Sequence, residues 1–145
     1  MRLAKRVPVP GGSHEVLAYD LRLRTPNTEL LSPRVTHSLE HLLAVSLRSV
    51  AQGTEEVKVL DVSPMGCRTG FYLTFLSRTG RLSLERVVGL VEGALDEALG
   101  YERVPGASVE SCGGYEEHDL AGARDVINGL RLERLVALKD PPLLH

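Results

Sequence analysis

Glu15-Val16-Leu17-Ala18-Tyr19-Asp20-Leu21-Arg22-Leu23-Arg24 sets Leu17, Tyr19, Leu21 and Leu23 on one side of an extended chain and Ala18, Asp20, Arg22 and Arg24 on the other. A period of two over this length predicts a half-buried strand. Pro10, Gly11, Gly12 and Ser13 precede it and have turn chemistry, so residues 2–9 are expected to form an earlier strand joined through a hairpin. Pro26 and Asn27 break the pattern on the other side.

Beyond that break the period changes. Ser32 followed by Pro33 suits a helix cap and first helical position. Leu39, Leu42, Leu43, Leu47 and Val50 then recur at spacings of three and four, predicting a helix over 33–50 with one core-facing stripe. Gly53 and Thr54 close it. Val57, Val59, Leu60 and Val62 form a β-rich run ending at Ser63-Pro64, and residues 71–76 read as its partner, so Cys67 is expected at a hairpin tip. A second amphipathic helix is predicted over 83–99, closed by Gly100. Residues 104–114, rich in Gly and Pro, read as loop or short strand, with Cys112 just before a third helix carrying Leu120, Ala123, Ile127 and Leu130. Asn128-Gly129 is the expected terminator, followed by an extended or irregular tail through Leu130, Leu132, Leu135 and the final prolines.

Strands and helices without regular alternation favour an α+β fold, a two-layer sandwich of antiparallel sheet with helices on one face. At 145 residues the whole chain, 1–145, is expected to be one domain with a core of its own. Leu60, Val62, Phe71, Leu73 and Phe75 offer more apolar surface than one helical layer needs, which points to a homodimer. A formal net charge of -2 gives no footprint for nucleic acid or an anionic membrane. Arg2, Lys5 and Arg6 precede no uninterrupted apolar run, so neither a signal peptide nor a spanning helix is expected, and the location is cytoplasmic by default. Two cysteines in such a compartment are more often metal-binding, catalytic or buried than paired in a disulfide.

His37, Glu40 and His41 form the order H-x-x-E-H on the first predicted helix. Residues four apart lie one turn above each other, so both imidazoles can reach one ion, with Glu40 beside it as a neighbouring base. The plain alternative is a solvated helix face. Cys112 lies six residues before His118 in a glycine-flanked loop, a natural carrier of a third ligand because Gly113 and Gly114 let the backbone approach closely. As thiolate it would complete a His₂Cys set with a fourth position open, the pattern of a catalytic site. The same order occurs in inverted-motif metallopeptidases, but the chain leaves little room for a peptide cleft, and a thiolate ligand lowers the ion's Lewis acidity. Cys67 precedes Arg68 at a turn, where a fixed positive charge would favour thiolate; a small buried hydrophobe is the equally weighted alternative.

Four stretches in the same order, Tyr19-Asp20-Leu21-Arg22, Thr36-His37-Ser38-Leu39-Glu40-His41-Leu42-Leu43-Ala44, Asp61-Val62-Ser63-Pro64-Met65-Gly66-Cys67-Arg68-Thr69-Gly70 and Cys112-Gly113-Gly114-Tyr115, closely resemble the S-ribosylhomocysteine lyases (LuxS). The resemblance implies an α+β homodimer with sites at the subunit interface and one iron(II) or zinc ion per subunit on His37, His41 and Cys112. It implies cleavage of S-ribosylhomocysteine into homocysteine and 4,5-dihydroxy-2,3-pentanedione, the autoinducer 2 precursor, by successive proton transfers and β-elimination. Cys67 and Glu40 match the family's acid/base pair, and Arg22 and Asp61 match positions near Cys67 and the substrate. The family also has an N-terminal segment whose serine and histidine enter the partner's site. Met1 falls after that segment, so either the true start lies upstream or, as the alternative expectation, the chain is a weakened or non-catalytic metal-binding homologue; Ser13-His14 reads as a turn rather than a replacement.

Overall fold

The computed structural model describes residues 1–133 and 135. Its elements are β1 (Arg2–Pro8), β2 (His14–Arg22), α1 (Pro33–Ala51), β3 (Val57–Pro64), β4 (Gly70–Arg78), α2 (Leu84–Ala98) and α3 (Leu120–Glu133). The four strands form one sheet in the order β1-β2-β4-β3, every neighbouring pair antiparallel. The α+β architecture is therefore as the residue periods predict. The turn chemistry of residues 10–13 joins β1 to β2, with the Ser13 hydroxyl on His14 Nδ1 at 2.9 Å, as expected of a turn.

The alternation in β2 decides which face is core. Leu17, Tyr19 and Leu21 are at most 1% exposed and stand opposite Phe75, Leu73 and Phe71 of β4, which are fully buried. On the other face, Asp20 departs from the expected solvent exposure. It is buried, and the Arg2 guanidinium at 2.7 Å compensates its charge. Of the five residues expected to leave surplus apolar surface, Val62, Phe71, Leu73 and Phe75 are buried within this chain, and Leu60 alone is exposed, at 47%. The helical layer covers more of the sheet than the count of apolar residues implied.

Ser32 caps α1 by accepting the Val35 N–H at 3.2 Å, with Pro33 just inside. Leu39, Leu42, Leu43 and Leu47 are fully buried. Helix α3 differs from expectation: Asn128 and Gly129 lie inside it, and it runs on to Glu133 because Ile127 and Leu130 are both buried against the core. Its start is set by Asp119, whose carboxylate accepts the Gly122 N–H at 2.8 Å. Leu130 thus belongs to α3, whereas the final prolines lie outside the described residues. Residues 104–114 contain no strand. No helix among the described residues is long and apolar enough to cross a membrane.

Gly70 fixes how closely β2 and β4 approach at the end that carries Arg22, its register partner. A Cβ there would lie 2.0 Å from the Leu21 carbonyl oxygen, a distance no side chain tolerates without backbone movement. Gly70→Ala is expected to lower unfolding stability by about 1–3 kcal/mol in urea titration, the usual cost of overpacking; an unchanged midpoint would show that the strands can separate freely there.

Candidate functional site

Two clusters of reactive side chains stand near the N-terminal half of α1. The first contains His37, His41, Cys112 and His118, whose ligand atoms all lie within 4.8 Å of one another. Cys112 Sγ is 3.3 Å from His37 Nε2 and 3.9 Å from His118 Nε2. The His37 and His118 rings stack with centroids 3.9 Å apart, and His41 meets both edge-on at 4.8 Å. Cys112 arrives from the loop between α2 and α3, as the sequence predicted, and it is a free thiol.

The outer nitrogens of the two helix histidines explain why their inner ones converge. His37 Nδ1 lies 2.9 Å from the Glu117 carbonyl oxygen, and His41 Nδ1 lies 2.8 Å from that of Pro105. A carbonyl only accepts, so each Nδ1 must carry the proton, leaving each Nε2 with a lone pair directed inward. Outer hydrogen bonds of this kind orient imidazole ligands on a metal. Two such nitrogens and a sulfur fit one divalent ion of the iron(II) or zinc type. The loop reaches His41 through Gly106, which has φ +70°; a Cβ there would stand 3.4 Å from His41 Nδ1. Gly113, expected to serve close approach, has open space around it.

His118 is the member of this cluster that the sequence reading left without a role. It follows Cys112 in irregular backbone, where no period marks it, and the Cys-x-x-x-x-x-His spacing was the available signal. Burial, then the neighbouring His37 and His41 rings, holds it below the ordinary imidazole range. Glu40 is half-buried between His37 and His41 in sequence and makes no hydrogen bond or ion pair among the described residues.

The second cluster is built on the β3–β4 hairpin tip. Cys67 is exposed there, which removes the reading of it as a buried hydrophobe. Its neighbouring cation is Arg22 rather than Arg68. Arg68 takes a left-handed backbone, φ 56°, and its guanidinium is 3.4 Å from the Leu31 carbonyl, whereas Arg22 Nη1 lies 3.4 Å from Cys67 Sγ. Arg22 also donates to Thr69 Oγ1, and that hydroxyl is 3.0 Å from Cys67 Sγ. Because guanidinium can only donate, the single Thr69 proton is left for the sulfur. The Thr69 hydroxyl is the largest influence lowering the Cys67 thiol below its ordinary range, followed by the Thr69 backbone N–H and then Arg22. Asp61, on β3, is exposed and accepts from the Ser63 hydroxyl; no contact joins it to the Cys67 cluster among the described residues.

Backbone pairing ties the clusters to one scaffold. The Arg68 carbonyl accepts the Leu31 N–H at 2.9 Å, one residue before the cap of α1, and the Thr69 carbonyl accepts from Leu23 and Arg24. Alkylation of Cys67 by iodoacetamide, followed by peptide mass spectrometry, is expected to show a rate midpoint below that of an ordinary thiol. Thr69→Val should raise that midpoint more than Arg22→Ala does; no change in Thr69→Val would remove the hydroxyl from the account.

Residues 1–138 match the family described as S-Ribosylhomocysteinase (LuxS). An S-ribosylhomocysteine lyase of Thermus thermophilus is 45% identical over 145 residues, covering 96% of this chain and 87% of the relative. The S-ribosylhomocysteine lyase of Deinococcus radiodurans is 39% identical, covering 96% of this chain and 86% of the relative. With a match that takes in both reactive clusters, the chain belongs to the S-ribosylhomocysteinase (LuxS) family.

Proposed function

We propose that this chain is a metal-dependent carbon–sulfur lyase that splits S-ribosylhomocysteine into homocysteine and 4,5-dihydroxy-2,3-pentanedione, the autoinducer 2 precursor. It acts as one domain, 1–145, within a homodimer in the cytoplasm. The observation that carries the reading is the pairing of a His37–His41–Cys112 donor set with an exposed thiol, Cys67, held within hydrogen-bond reach of Thr69 and Arg22. A thioether at a saturated carbon does not break by proton transfer alone. Its C–S bond opens by β-elimination once the sulfur-bearing carbon stands β to a carbonyl: the carbon next to the carbonyl gives up a proton, that electron pair forms a C=C bond to the sulfur-bearing carbon, and homocysteine leaves as its thiolate and takes up a proton.

Each residue then has a task that its surroundings support. One divalent ion, iron(II) or zinc, would be held by His37, His41 and Cys112 and would supply Lewis-acid polarisation of a substrate oxygen. Cys67, as thiolate, takes and returns protons on carbon. Glu40, between the two helix histidines, serves as the second acid/base. Arg22, after the Thr69 hydroxyl, favours the thiolate of Cys67. Asp61, exposed on β3, has a carboxylate oxygen to offer a substrate hydroxyl. The dimer reading rests on the outer sheet face: Val7, Val16 and Leu76 form one cross-strand row, and Val7, Leu60 and Tyr72 are 45–47% exposed. Free Cys67 and Cys112 suit a reducing compartment.

Fresh anaerobic protein carrying about one metal per chain is expected to release free thiol from S-ribosylhomocysteine. Cys67→Ala should lower that rate by about 10²–10⁴-fold, the usual weight of acid/base catalysis, without changing metal content. No release from metal-loaded wild-type protein would leave a metal-binding homologue without turnover. Light scattering on the eluting protein should give about twice the 15.8 kDa chain mass, falling toward the chain mass in Leu60→Asp/Tyr72→Asp; a monomer at micromolar concentration would exclude the homodimer.

A further inference from the structure

His118 reaches the same centre as His37 and His41, but a hydroxyl rather than a carbonyl holds its outer nitrogen. His118 Nδ1 lies 3.2 Å from Ser38 Oγ, and Ser38 is fully buried on α1. Ser38 Oγ already accepts the Asp119 N–H at 2.8 Å. These are the two partners of that hydroxyl among the described residues. If His118 Nδ1 carried the proton, Ser38 would accept twice and its own O–H would be buried with no acceptor. A buried donor left without a partner costs about 1–3 kcal/mol. If Ser38 donates to Nδ1, every group is satisfied, and the proton of the neutral ring must sit on Nε2.

We propose that His118 is a positioning residue of the metal centre, not a ligand: its Nε2–H donates to the Cys112 sulfur, 3.9 Å away, and leaves the fourth coordination position to the substrate. The same accounting that makes His37 and His41 ligands thus gives the third ring the opposite tautomer. An N–H directed at a thiolate draws electron density from the sulfur and reduces what it donates to an ion. That offsets the loss of Lewis acidity that a thiolate ligand brings, which a carbonyl-polarising site needs. The stacked His37 ring, 3.9 Å from His118, keeps the imidazole in this orientation.

The inference rests on the donor set proposed above, and two measurements separate the failures. In zinc-loaded wild-type protein, long-range proton–nitrogen NMR should show protonated Nδ1 on His37 and His41, but protonated Nε2 and bare Nδ1 on His118. A His118 ring with protonated Nδ1 and metal-bound Nε2 overturns the proposal. In cobalt(II)-substituted protein, His118→Phe should retain one cobalt per chain and shift the sulfur-to-cobalt charge-transfer band to lower energy. His118→Gln, which keeps an N–H near the position of Nε2, should restore the band toward its wild-type energy. An unshifted band in His118→Phe, or loss of cobalt from both variants, overturns the assignment. Absence of the sulfur band from wild-type protein would sink the Cys112 ligand reading itself, and this inference with it.

Discussion

The rotational setting of α1 is the constraint on which the remaining geometry depends. Leu39, Leu42, Leu43 and Leu47 are completely buried, so the helix has one orientation about its axis. A slip of one residue would turn it by about 100° and bring polar side chains into the core. With that stripe held inward, His37 and His41 project at its edge, each half-exposed, and Ser38 points into the protein beneath the 104–119 loop. The apolar face therefore fixes three polar roles: two inward lone pairs and one hydroxyl that sorts a third ring. Ordinary packing energy sets the chemistry.

Each loop that completes the site has few regular backbone bonds of its own. The segment from residue 101 to 119 has turns but neither helix nor strand, and its principal anchors to α1 are the His37–Glu117, His41–Pro105 and Ser38–Asp119 hydrogen bonds. The bonds that choose the histidine tautomers are thus the bonds that order the loop. Cys112 is delivered to the rings by that ordering. On the other side, the hairpin carrying Cys67 is joined to the start of α1 through Leu31 and to β2 through Leu23 and Arg24. Both reactive sulfurs are consequently referred to one helix, although no direct contact links them among the described residues.

Periodicity made the framework legible. The β2 alternation, the Ser32-Pro33 start and the Leu39–Leu47 spacing each state a local preference that the tertiary structure leaves in place. Asn128-Gly129 misled because burial of Ile127 and Leu130 outweighs a weak helix residue. Val62, Phe71, Leu73 and Phe75 misled as surplus surface because a sequence lists apolar residues without showing how much area each helix covers. The H-x-x-E-H order and Cys112 were readable because chemistry-bearing residues at ligand spacing stand out against their background. His118 and Thr69 were not, since each acts through a partner distant in sequence or through irregular backbone. Arg68 was the natural but mistaken neighbour of Cys67: adjacency along the chain says nothing about proximity once φ turns positive.

The partners of His37 and His41 are main-chain oxygens, which has a bearing on how such a centre drifts over generations. Many metal sites keep their imidazoles aligned with a dedicated carboxylate, and losing that residue loosens the ligand. Here the oxygens come from positions 105 and 117, where any amino acid presents the same atom provided the chain follows the same path. Side-chain identity at those two places is decoupled from ligand alignment, while the shape of the loop is not. Insertions or deletions there, far more than substitutions, are what the centre cannot absorb.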